Sequence, residues 1–179
     1  KHIQQGLSDL REFVALESVS AQKRMLPEAA KYVTQLLEKE GFAVQQFEGD
    51  PQHPYTAPIV LAEAGEGPFT LMIYNHYDVQ PEDPLELWDS PPFEMTEREG
   101  RLYGRGISDD KGEFMARLAG LRALREQHGG RLPLKIKWLL EGEEEVGSPS
   151  LEPFLAQHAA LLGADGVWWE FGTITPEGR

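Results

Sequence analysis

The sequence predicts a layered α/β/α sandwich on a mostly parallel central sheet. Three observations carry that prediction. Short apolar runs alternate with amphipathic stretches of helical period, the order expected of a layered α/β sheet. One run, FTLMIYN (69–75), is apolar almost throughout, which suits a central strand buried on both faces. Acidic or imidazole groups stand where such runs end: His76, Glu143-Glu144-Glu145 and Glu170. If these strands are parallel neighbours, the groups converge on one rim, beyond the strand carboxyl ends where open α/β sheets bind ligands.

Taken in order, residues 3–17 read as a helix, because Ile3, Leu7, Leu10, Phe13, Val14 and Leu16 recur near the 3.6 period. A second helix starts near Pro27, a favourable first-turn residue, and stops at Gly41. Strands are expected at 42–48, 58–64 and 69–75, with a Gly- and Pro-rich loop before the second that makes His53 a surface residue. Residues 79–92 form a long loop with four prolines, a length that is often functional. FEMTERE and RLYG, joined at Gly100, make a small hairpin. A helix follows from Asp110 to His128, with Phe114, Met115, Leu118, Leu121 and Leu124 as its apolar stripe. A strand at 133–140, a helix at 150–158 and a short strand at 166–169 complete the alternation.

Bulk properties narrow the function. The net charge of -13 argues against nucleic acid or an anionic membrane as partner, since both select basic patches. With no cysteine, disulfides, thiolate zinc sites and a cysteine nucleophile are excluded. No apolar run approaches the length of a membrane helix, and KHIQQGLSDL has no signal-peptide core, so a cytoplasmic protein is expected. The lack of an initial Met points to further residues before Lys1.

Singly, the polar groups have ordinary readings: a histidine ending a strand, two aspartates opening a helix, a glutamate run in a solvated turn. Together they do not. Convergent carboxylates repel and are costly to bury unpaired, and a divalent ion removes that cost. One imidazole with several carboxylates suits zinc, cobalt or manganese better than calcium. In His-x-Asp, Asp78 can hold the second nitrogen of His76. Of two adjacent glutamates, one can bind metal while its neighbour takes a proton from water, an arrangement for metal-assisted hydrolysis of a carbonyl compound.

HYDVQP, WDSPPFE, LYGRGISDDKG and LEGEEEVGS, in this order, resemble the M20 metallopeptidases, which include dipeptidases, carnosinases, aminoacylases and deacylases. The resemblance runs from around residue 7 to around residue 172, and the VQPEDPLELW loop with Trp88 and Pro91-Pro92 is most similar to the dipeptidase and carnosinase branch. It implies a zinc-peptidase-like fold and a dinuclear centre holding two divalent ions, zinc or else manganese or cobalt. His76 and Glu170 would ligate one ion, Asp109 would bridge both through a cis bond to Asp110, and Glu145 would ligate the second. Glu144 would be the general base and Asp78 would orient His76. The implied substrate is a dipeptide or short peptide; an N-acyl amino acid is the alternative within the family, and a non-catalytic metal-binding module the alternative outside it.

The resemblance also implies missing parts. Members continue into a lid and dimerisation domain, then return to complete the catalytic sheet with a further histidine ligand. No histidine follows Glu170, and His2, His53, His128 and His158 lie in other motifs. Residues 1–179 are therefore expected to be the first part of a catalytic domain, inactive alone, and a homodimer through the lid when complete.

Overall fold

The computed structural model describes residues 2–49 and 57–170, so His53 lies outside the described residues. Its elements are α1 (His2–Val14), α2 (Leu26–Lys39), β1 (Ala43–Phe47), β2 (Ile59–Ala64), β3 (Thr70–His76), β4 (Thr96–Arg98), β5 (Arg101–Tyr103), α3 (Lys111–Gln127), β6 (Lys135–Glu141), α4 (Leu151–Gln157) and β7 (Gly166–Trp168). Every predicted element is present, with no end displaced by more than three residues. The first helix is the largest change on the C-terminal side: it stops at Val14, and Glu17–Val19 run on toward the bridge between Val19 and Val79.

The main sheet has the order β1-β2-β6-β3-β7. Strands β6, β3 and β7 are parallel neighbours; β2 runs antiparallel to both β6 and β1. Four of the five strands thus point the same way. Strands β4 and β5 pair separately as the expected hairpin.

The apolar run of β3 is explained by its position. Ile73 faces a core shared with Phe13 of α1, Val33 of α2 and Phe114 of α3. Met72 and Tyr74 face the opposite core, against Leu151 and Phe154 of α4. With period-2 alternation, a strand covered on both sides must be apolar at nearly every position. The fold is therefore layered, with three helices on one face and α4 on the other.

Two close approaches fix the geometry of the rim. A Cβ on Gly142 would lie 2.3 Å from the buried Tyr77 ring, and one on Gly112 would lie 1.9 Å from the Ile107 carbonyl oxygen. Only glycine lets the chain leaving β6 cross Tyr77, and lets α3 begin against the preceding loop. No helix among the described residues is long and apolar enough to cross a membrane.

Candidate metal centre

His76 is the last residue of β3 and pairs in register with Glu141, the last residue of β6. Strand β7 flanks β3 on its other side, which brings Glu170 to the same rim. The imidazole is buried, and its two nitrogens have different surroundings. Nδ1 lies 3.1 Å from the Asp78 carbonyl oxygen and 3.2 Å from Asp78 Oδ1. Nε2 faces a set of carboxylates: Asp109 Oδ1 at 2.9 Å, Glu170 Oε2 at 3.5 Å and Glu144 Oε2 at 3.9 Å. A nitrogen held by a carboxylate leaves the other as the outward donor atom, the usual arrangement of a ligating histidine.

Asp78 does more than the sequence reading assigned to it. Besides meeting His76, its carboxylate accepts the backbone N–H groups of Glu144 (Oδ1, 3.2 Å) and Glu145 (Oδ2, 3.1 Å). One buried side chain thus fixes both the imidazole and the turn that carries the two glutamates. Glu145 presents its carboxylate to Gln80 Nε2 at 2.6 Å, at the start of the long loop. Glu143 is not part of a solvated turn. It is 2% exposed and accepts the backbone N–H of Ala57.

Asp109 and Asp110 divide the helix start between them, across a cis peptide bond. The Asp109 side chain is 59% exposed and turns to His76 Nε2. Asp110 is buried, and its Oδ2 accepts the His76 backbone N–H (2.9 Å) and Asn75 Nδ2 (2.7 Å). In sequence, Asp110 stands out only as an aspartate opening the helix and sharing the implied cis bond. Burial next to the histidine is visible only once β3 and α3 are docked.

The electrostatics follow from this crowding. Burial would depress the His76 imidazole, but its hydrogen bonds with Asp109 and Asp78 outweigh that and hold it up at about 11. Burial raises the Glu170 carboxyl to about 7; the His76 charge opposes this, and those of Glu144, Asp110 and Asp109 add to it. Asp110 is raised to about 6, again chiefly by burial, and Asp109 is lowered by its bond to His76. The rim therefore gathers several carboxyl groups around a single imidazole.

The donor set fits a divalent ion. His76, Asp110 and Glu170 each offer a ligand atom within 4.8 Å of the others. Glu170 Oε2 is buried without a hydrogen-bond partner, an orphan that a cation would satisfy. Mixed imidazole and carboxylate donors suit zinc, manganese or cobalt.

The profile of peptidase family M20/M25/M40 matches residues 72–178, which holds the whole of this rim. The chain belongs to that family. It is 36% identical over 168 residues to the human Beta-Ala-His dipeptidase, covering 84% of this chain and 32% of that protein. It is 37% identical over 174 residues to the cysteinylglycine-S-conjugate dipeptidase of Corynebacterium striatum, covering 94% and 36% respectively. Among solved structures, an M20 family metallo-carboxypeptidase from Sulfolobus solfataricus superposes with a TM-score of 0.86 at 38% identity, over 97% of this chain and 39% of that one. Human carnosine dipeptidase 1 does so with a TM-score of 0.86 at 31% identity, over 97% and 40%. This M20 chain thus spans about a third of the length of the curated relatives it matches.

Proposed function

We propose that this M20 chain is the first part of the catalytic domain of a metal-dependent peptidase that cleaves a dipeptide or short peptide. The carrying observation is the convergence of Asp109, Glu144 and Glu170 on one buried nitrogen of His76, at the rim where three parallel strands end. Similarity to two named dipeptidases supports the substrate class.

In this reading, His76 and Glu170 would hold one divalent ion, Glu145 would hold a second, and Asp109 would serve both. The ions, when bound, polarise the scissile carbonyl and acidify water. Asp109 is preferred to Asp110 as the bridge because Asp110 Oδ2 is already engaged by two N–H donors, whereas Asp109 reaches outward. Glu144 is the general base. It is one-third exposed, it lies 3.9 Å from His76 Nε2, and its backbone is pinned by Asp78. It takes the proton of the attacking water and returns it to the leaving amine nitrogen. Asp78 keeps the proton of His76 on Nδ1 and so leaves Nε2 to ligate.

Glu144→Gln in the full-length protein tests the assignment. Dipeptide turnover falls by a factor on the order of 10²–10⁴ while metal content stays that of the wild type. Loss of metal together with turnover would exchange the roles of Glu144 and Glu145.

A further inference from the structure

Helix α3 turns a residue inward where its apolar stripe would lead one to expect leucine. Arg117 follows Phe114 by three positions, precedes Leu118, and is 6% exposed. Burying a guanidinium is costly unless its N–H groups are paired. Here they are paired, and mostly to backbone. Nη1 donates to the Tyr74 carbonyl oxygen at 2.6 Å and to Asn75 Oδ1 at 3.0 Å. Nη2 donates to the carbonyl oxygens of Trp169 (2.8 Å) and Glu170 (3.3 Å), and to Glu113 Oε2 (2.8 Å).

These acceptors have a pattern. The β3–β7 ladder ends at the pair Ile73–Trp168. One residue later on each strand, the guanidinium takes one carbonyl from β3 and one from the chain leaving β7. It continues the pairing by a side chain where the ladder stops, immediately before His76 and Glu170. Its second target in β3, Asn75, passes the constraint on. Asn75 Oδ1 also accepts Trp138 Nε1 at 2.9 Å, and its Nδ2 donates to Asp110. Two donors on the oxygen and a carboxylate on the nitrogen fix the amide's orientation.

We propose that Arg117 is a positioning residue for the metal centre: it fixes the backbone at Trp169–Glu170 against β3 so that the Glu170 carboxylate faces His76. This rests on the metal-hydrolase reading above. Glu170 Oε2 has no hydrogen-bond partner of its own, so the backbone on which it stands determines where it points.

Metal titration of the full-length protein, stripped with a chelator, tests the proposal. Co²⁺ uptake is followed by visible absorption and Zn²⁺ affinity by competition with a chromophoric chelator. Glu170→Gln identifies the equivalent that depends on Glu170. Arg117→Gln and Arg117→Lys each weaken that same equivalent by about tenfold or more. Lysine does not rescue, because an ammonium lacks the planar fork that spans two carbonyls. Glu113→Gln removes only the exposed end of the network and changes the affinity by no more than about twofold. The double variant Arg117→Lys with Glu170→Gln binds no more weakly than Glu170→Gln alone, because Arg117 acts through Glu170. Wild-type affinity in both Arg117 variants, additive losses, or loss of the folded state even in Arg117→Lys would overturn the positioning role. A wild-type protein that takes up no divalent ion would instead overturn the functional reading beneath it.

Discussion

Asp78→Asn is the substitution most informative about the rim. Asp78 is fully buried, and both of its oxygens are in use. Oδ1 meets His76 Nδ1 at 3.2 Å and the Glu144 N–H at 3.2 Å; Oδ2 meets the Glu145 N–H at 3.1 Å. An asparagine has one oxygen. Kept on His76 and Glu144, it turns its NH₂ against the Glu145 N–H; flipped, it loses two bonds in place of one. The first orientation wins, and the buried N–H left over costs roughly 1–3 kcal/mol. Weakening the partner of a ligating histidine costs about 10–100-fold in metal affinity, or about 1.4–2.8 kcal/mol. The two routes give the same size of effect, on separate observables. Urea unfolding of the metal-free protein reads the first and zinc competition reads the second. A variant with wild-type stability and wild-type zinc affinity would refute the role given to Asp78.

Two further outcomes follow from the same rim. Gly142→Ala places a Cβ 2.3 Å from a buried tyrosine ring whose hydroxyl is held by the Pro58 carbonyl, so neither can yield; thermal unfolding should show a loss of about 1–3 kcal/mol or more. Glu141→Gln reports a pH dependence. Burial raises the Glu141 carboxyl from 4.5 to about 7, against the hydrogen bonds from Tyr74 and Ser148. A carboxyl raised in the fold contributes stability below its ordinary value and loses it as pH rises through the folded one. The variant should therefore gain on the wild type between pH 5 and pH 8, by an amount on the order of 1–3 kcal/mol in denaturant unfolding. A difference constant with pH would mean that Glu141 is ionised throughout.

Most of the scaffold was legible because two-sided burial and helical period leave direct marks in composition. The run 69–75 gave β3, and the strand ends gave His76 and Glu170. Buried polar residues were not legible, because their partners are distant in sequence. Arg117 and Arg122 fall outside the apolar stripe of α3, yet both are buried. Arg122 meets Asp9 of α1 at 2.8 Å and Glu40 at 2.7 Å. Leu121 and Leu124, read as stripe, are only partly buried. Lys111, at the start of α3, carries no sequence mark of a buried role, yet it is fully buried. Its ammonium donates to the Phe13 and Leu16 carbonyl oxygens and ties the helix start to the end of α1. Glu143 was indistinguishable from Glu144 and Glu145 in sequence; the turn sends it inward and its neighbours outward.

Hydrogen-bond saturation separates the residues that hold the rim from those left to act on a ligand, and it favours Asp109 over Asp110 as the proposed bridge. Asp78 and Asn75 have every polar atom of their side chains engaged, and Asp110 Oδ2 takes two donors. Among the described residues, the side-chain carboxylates of Asp109, Glu144 and Glu170 find their polar partner in His76 Nε2. Removing a holder leaves two or more donors unmatched, whereas removing Asp109 leaves one, His76 Nε2, which Glu170 and Glu144 still face. Asp110→Ala strands the His76 N–H and Asn75 Nδ2, and the metal-free protein should lose roughly 1–3 kcal/mol for each. Asp109→Ala removes a side chain that is 59% exposed and a single hydrogen bond to His76 Nε2, and should cost the metal-free protein only about 0.5–1.5 kcal/mol, less than Asp110→Ala. Metal binding should show the opposite emphasis, with Asp109→Ala losing an ion that equilibrium dialysis counts directly. If Asp109→Ala keeps its full metal complement while Asp110→Ala loses one ion without unfolding, the bridging carboxylate is Asp110 and the assignment must move by one residue.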